Sequence, residues 1–159
     1  MSAEILPPVI RELDLDCSPT HAFDVFTSQL ARWWPLFSHS CFGEADARVE
    51  FEPFAGGKVV EINSAGERAV WGTLLEWNPP RGFSMTWHPG QAEDQATVLE
   101  VRFESTLPDA KTAHTQEPGC RLTLIHQGWA KRGETAGTVR DSYATGWVVV
   151  LELFEAAVK

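Results

Sequence analysis

"TVRDSYATGWVVVLELFEAAVK", Thr138 to Lys159, is the stretch on which the fold turns. Tyr143, Trp147, Val150, Leu151, Phe154 and Val158 fall on one helical face, which predicts a C-terminal helix of about five turns with a single apolar stripe. Gly146 inside it costs about 1 kcal/mol against Ala and points to close packing or a bend. A stripe of that length needs a broad apolar partner, and the segments upstream supply one.

There the periodicity changes to two. In "ARVEFEP" Val49 and Phe51 alternate with Arg48, Glu50 and Glu52, the mark of a half-buried strand. "FSMTWHPG" sets Phe83, Met85 and Trp87 on one face, and "TVLEVRFES" sets Leu99, Val101 and Phe103 opposite Glu100, Arg102 and Glu104. "CRLTLIHQGW" aligns Leu122, Leu124 and His126. "VIRELDLD", "GGKVVEIN" and "ERAVWGTLLEW" complete the strands, with the turn "SAGE" between the last two. The polar, proline-containing "LPDAKTAHTQEPG" reads as a mobile loop.

Between the first strand and the rest, "SPTHAFDVF" starts a helix, with Ser18 as N-cap and Pro19 where no N–H is needed. Its stripe runs through Phe23, Phe26, Leu30 and then Trp33 or Trp34, and stops before Pro35. Adjacent residues do not share a helix face, so either one indole is exposed or the two line different walls.

The order strand, helix, antiparallel strands, long helix predicts an α+β architecture. Its curved antiparallel sheet of about six to seven strands wraps around the C-terminal helix. A chain of 159 residues is expected to form a single domain over 1–159. Lys and Arg number 13 against 22 Asp and Glu, for a net charge of -9. No basic cluster relieves it, so the reading is no nucleic acid and no membrane partner. The N-terminus carries no basic-then-apolar leader pattern, and the expectation is a soluble, cytoplasmic protein. Cys17, Cys41 and Cys120 form no C-x-x-C pair and read as reduced thiols.

Catalysis would need titratable groups that converge. His21 and His114 read as solvated, and His88 as a surface-loop residue opposite Trp87. His126 shares a strand face with Leu122 and Leu124, which makes it a hydrogen-bonded core histidine or a ligand contact. His39 lies in "SHSC", but Ser38, Ser40 and Cys41 are sequence neighbours, whereas nucleophile and base usually come from separate elements. His39, His88 and His126 lack the ligand spacing of a zinc site, so neither a metal nor another cofactor is assigned, and no catalytic residue. Glu61 and Glu76 sit in strands apolar on both faces; inside the core either would need a partner such as Arg68 or Arg121.

Seven Trp and nine Phe are hard to pack without leaving a space between sheet and helix. The expected ligand-contacting set from the first helix and the following turn is Trp33, Trp34, Phe37 and His39. The strands contribute Trp71, Phe83, Met85, Trp87, Phe103 and His126, and the C-terminal helix Trp147, Leu151 and Phe154. Apolar and aromatic walls with a few polar groups are the usual form of a small-molecule site.

The segments "HAFDVFTSQLARWWP", "VEFEPFAGGKVVE", "WGTLLEWNPPRGFSMTW", "CRLTLIHQGW" and "GWVVVLELF", in that order, resemble the helix-grip, START-like superfamily (SRPBCC). Within it the chain is similar to the branch homologous to the activator of heat-shock protein 90 ATPase. The resemblance implies binding of a small apolar or amphipathic molecule between sheet and C-terminal helix. It also leaves two alternatives, a protein-interaction module with a homodimer or chaperone partner, and a cyclase- or hydrolase-type enzyme using the same cavity.

Overall fold

The computed structural model describes residues 6–35, 47–106 and 119–159. Among the described residues ten elements succeed one another: β1 (Val9–Leu15), α1 (Pro19–Thr27), α2 (Leu30–Trp33), β2 (Arg48–Phe51), β3 (Lys58–Ile62), β4 (Arg68–Asn78), β5 (Gly82–Trp87), β6 (Thr97–Thr106), β7 (Gly119–Gln127) and α3 (Ala136–Ala157). Short 3-10 turns at Glu93–Gln95 and Trp129–Thr135 precede β6 and α3. The seven strands form an antiparallel sheet in the order β1-β7-β6-β5-β4-β3-β2. This is the α+β arrangement the patterning predicts, in the helix-grip form the resemblance implies.

In β6 and β7 the two-residue alternation runs cleanly, so Leu99, Val101, Phe103, Leu122, Leu124 and His126 all turn inward. It fails in β3 and β4 for a local reason. The pairing shifts between Val59 and Val60 and again between Leu74 and Glu76, and a bulge reverses the facing of the residues beyond it. Both extra residues lie on β4, so Glu76, just past the second shift, is exposed, while Glu61, two residues beyond the fully buried Val59 on the same face of β3, is buried. At Gly72 β4 and β5 approach so closely that a Cβ would lie 1.7 Å from the Thr86 carbonyl oxygen.

The helix expected to run unbroken from Pro19 ends at Thr27, whose hydroxyl donates to the Phe23 carbonyl at 2.7 Å, and restarts at Leu30. Ser18 caps it as predicted, accepting from the His21 amide at 3.1 Å. Trp33 is the last residue of α2, and Trp34 leaves the helix in an extended conformation (φ -65°, ψ 134°). That change of backbone direction is how both neighbours are buried. Trp33 packs on Phe26 and Phe154, with ring centroids 5.3 and 5.1 Å away. Trp34 packs on Trp71 and Trp147, at 5.1 and 5.9 Å. The two rings line different walls.

Helix α3 is fastened at both ends. Arg11 on β1 donates to the Ala144 carbonyl at 2.9 Å, and Arg140 on α3 donates to the Pro7 carbonyl at 2.6 Å. At the far end Arg32 donates to the Ala157 carbonyl at 3.1 Å, a cation beside the negative pole of the helix dipole. His21, expected to be solvated, has an exposed ring whose Nε2 reaches the Val158 carbonyl at 3.2 Å.

Candidate functional site

The interior between sheet and α3 divides into two aromatic ends. One is built of phenylalanines: Phe23, Phe26, Phe83, Phe103 and Phe154, with ring centroids 5.1 to 6.2 Å apart. The other is built of tryptophans: Trp34, Trp71, Trp87 and Trp147 contact one another in five pairs with ring centroids 5.1 to 6.1 Å apart and run on into His126, Trp129 and Tyr143. Indoles, a phenol and an imidazole bring polar atoms with their rings, so this end can recognise as well as pack.

Its hydrogen bonds determine one another. The Trp147 indole N–H donates to His126 Nδ1 at 3.0 Å, which requires a lone pair there and puts the imidazole proton on Nε2. His126 Nε2–H then donates to Thr97 Oγ1 at 2.6 Å, and the Thr97 hydroxyl donates in turn to the Trp87 carbonyl at 3.2 Å. One chain of donors thus links α3, β7, β6 and β5. His126 is 0% exposed, and burial, followed by the nearby Arg132 charge, pulls its pKa down from 6.5 to about 3. At neutral pH it is an uncharged ring with both nitrogens engaged, which suits it to holding the site's shape rather than to shuttling protons.

Two further polar groups enter the same end. Trp71 donates its indole N–H to Glu61 Oε1 at 3.0 Å, and Glu61 is 0% exposed. The partners expected for Glu61 are placed elsewhere: Arg121 pairs with Asp14 at 2.9 Å, and Arg68 is exposed. Trp87 donates to the Tyr143 hydroxyl at 3.2 Å, and Tyr143 is half-buried at the edge of the cluster.

Of the residues expected to contact a ligand, Trp33, Trp34, Trp71, Phe83, Met85, Trp87, Phe103, His126, Trp147, Leu151 and Phe154 are all buried. The structure sorts them: Trp34, Trp71, Trp87, His126 and Trp147 meet at the tryptophan end, whereas Phe83, Phe103 and Phe154 belong to the phenylalanine end. Phe37 and His39, with Ser38, Ser40 and Cys41, lie outside the described residues, as does the segment read as a mobile loop up to Pro118. Glu61, Thr97, Trp129 and Tyr143 belong to the site and were not in the expected ligand set. Tyr143 was legible from the helical stripe. Thr97, the first residue of β6, shares the inward face of Leu99 and Val101 by alternation, and Trp129, just past β7, gave no signal beyond its position.

His88, expected on the surface, is buried, its Nδ1 3.2 Å from the Gln91 carbonyl oxygen. Among the described residues no group of three or more His, Cys, Asp or Glu is placed to hold a metal ion. Cys120 is buried and Cys17 half-buried. Burial raises both thiol pKa values, with Asp16 adding to the effect at Cys17, and Cys120 reaches about 12. Both are therefore thiols, not nucleophilic thiolates, at neutral pH. A groove of about 910 Å³ runs across the outer face of the sheet past Glu76, Ser84, Glu100 and Arg102. Its lining is mixed, with Phe83, Val101 and Phe103 beside the Arg102–Glu100 ion pair at 2.5 Å. No described helix is long and apolar enough to cross a membrane.

A sheet gripping a long C-terminal helix, with an aromatic interior between them, defines the helix-grip class. Within it the chain belongs to the family described as Activator of Hsp90 ATPase homolog 1-like protein, which matches residues 16–159. No curated protein sequence matches the chain. Among solved structures it is 34% identical to the anthrahydroquino-gama-pyrone synthase Txn09, solved complexed with SUM, with a TM-score of 0.56 and 87% of each chain covered. Two more distant neighbours share the fold. The Aha1 dimer from Colwellia psychrerythraea is 13% identical, with a TM-score of 0.62 and 96% of each chain covered. CalC from Micromonospora echinospora, a self-sacrificing resistance protein, is 20% identical with a TM-score of 0.62, covering 96% of this chain and 94% of its own.

Proposed function

We propose that the chain binds a planar aromatic small molecule bearing oxygen substituents, held at the tryptophan end between the sheet and α3. The observation that carries this is the gathering of oriented polar atoms, on Glu61, Thr97, His126 and Tyr143, inside a shell of indole rings at one end of the interior. Flat rings stack on indoles, and oxygen substituents take up the few hydrogen bonds available there. The 34% identical relative is named a pyrone synthase, which supports an aromatic, oxygenated ligand class. In a thermal-shift series with planar quinones and hydroxyquinones, the unfolding midpoint rises with ligand concentration by mass action. Tyr143→Leu, at the half-buried edge, blunts the rise. A flat response from wild-type protein to every member of the series overturns the reading.

A second reading, ring closure catalysed at the same place, has one observation of its own: a fully buried carboxylate, Glu61, held by Trp71 beside the ligand region. A carboxylate within reach of a phenolic nucleophile is placed to accept its proton. In closure of a 2-hydroxyaryl 1,3-diketone, the phenolic oxygen adds to the distal carbonyl carbon and water leaves, giving a γ-pyrone. Glu61→Gln keeps the acceptor for Trp71. It is expected to leave the ligand-induced midpoint rise intact and to abolish turnover of such a diketone. Equal turnover by variant and wild type, or none by wild type, rules this second reading out.

A further inference from the structure

Every indole of the site with a described hydrogen bond uses its N–H on a protein acceptor: Trp71 on Glu61, Trp87 on Tyr143 and Trp147 on His126. Trp129 is different. It is 2% exposed, and its Nε1 is buried with no hydrogen-bond partner among the described residues. Its ring lies 4.3 Å from His126 and 5.9 Å from Tyr143, centroid to centroid, so the unanswered donor belongs to the tryptophan end. A second unanswered N–H, Arg11 Nε, sits in the same corner. Arg11 is bonded to Ala144, the neighbour of Tyr143 on α3, and pairs with Leu124, two residues from His126 on β7. The corner has spare donors, while the two nitrogens of His126 are committed to Trp147 and Thr97. Buried polar groups are almost always paired, so the missing partner is an acceptor.

We infer that the Trp129 indole N–H is the donor that seats an acceptor oxygen, a keto or phenolate oxygen, of the planar aromatic ligand against the His126–Tyr143 corner. This rests on the ligand reading above and adds to it the atom that distinguishes an oxygenated ring system from a hydrocarbon of the same shape. Trp129→Phe removes the N–H and keeps an aromatic ring. Because it deletes an unpaired buried donor rather than a hydrogen bond, its folding should be retained, with an unfolding midpoint no lower than that of a Trp147→Phe control.

The test uses two neutral probes of matched shape, 2-(hydroxymethyl)anthraquinone and 2-anthracenemethanol, titrated calorimetrically into wild-type and Trp129→Phe protein. The expected result is a roughly five- to tenfold loss of quinone affinity in the variant with the anthracene affinity unchanged, the size of one neutral hydrogen bond. In ¹⁵N-indole spectra of the wild type, the Trp129 side-chain N–H should move downfield with quinone and stay in place with anthracene. Binding of both probes with the same quinone-to-anthracene ratio in variant and wild type, or equal losses for both, overturns the donor role and leaves the ligand reading standing. Failure of the quinone probe to bind wild-type protein overturns both.

Discussion

The two aromatic ends of the interior are made from the same sheet and the same helix, yet they are different materials. At the phenylalanine end Phe23, Phe26, Phe83, Phe103 and Phe154 meet edge to face or tilted, and their rings carry no polar atom. Trp33, which borders it, disposes of its N–H on the Val25 carbonyl at 2.7 Å. At the tryptophan end nearly every ring brings a donor or an acceptor, and these are strung into a chain from α3 to β5. Apolar packing loses little when a ring shifts slightly. A hydrogen-bonded chain of fixed donors and acceptors has one arrangement, which is what a recognition surface requires. The difference teaches that the first end supplies stability and the second spends some of it on order.

The comparison can be broken most forcefully at the dry end. Phe154 is 0% exposed and touches Phe26 and Trp33, so Phe154→Ala is expected to cost about 3 to 5 kcal/mol in denaturant-unfolding free energy. A loss below about 1 kcal/mol would mean that this end is not the stabilising one. The next effect belongs to the wet end and is a pH effect. The folded-state pKa of His126 is lowered from 6.5 to about 3, so between those values the unfolded chain binds the extra proton. Stability is therefore complete above pH 6.5, falls as the pH drops from 6.5 towards 3, and loses nothing more from this residue below that. From about pH 7.5 to about pH 4.5 the loss is about 2 to 3 kcal/mol, and the difference between wild-type and His126→Asn unfolding across that range isolates it. A parallel decline in both proteins would assign the acid sensitivity to other groups.

A smaller change sharpens the contrast without altering shape. Thr97→Val removes the hydroxyl between His126 Nε2 and the Trp87 carbonyl, leaving a buried donor and a buried acceptor unanswered. It should cost about 2 kcal/mol by the same unfolding measurement. Smallest of all, Tyr143→Phe takes the acceptor from the Trp87 N–H at a half-buried position and should cost about 1 kcal/mol or less. A Tyr143→Phe cost exceeding that of Thr97→Val would reverse the order in which the chain's links matter.

Much of the fold was written in simple periodicities. The clean two-residue alternation of β6 and β7 and the stripe from Tyr143 to Val158 map directly onto sheet and helix. What could not be read were departures from period. The irregular pairing of β4 turned Glu76 out, and the break between Thr27 and Leu30 with the extended Trp34 separated two adjacent indoles. For the site, composition and pattern gave the rings but not their partners. Thr97 and His126 are 29 residues apart, and their hydrogen bond exists only because β6 and β7 pair in one register. Hydrogen-bond complementarity across a sheet leaves no periodic trace.

The spacing of the indoles has an optical consequence. Trp34, Trp71, Trp87 and Trp147 have ring centroids 5.1 to 6.1 Å apart, well inside the range over which excitation passes between indoles. Light absorbed by any of them is shared by the group before it is emitted. A bound molecule that quenched one ring would therefore darken all four, and the protein's own fluorescence would report such binding without an added label.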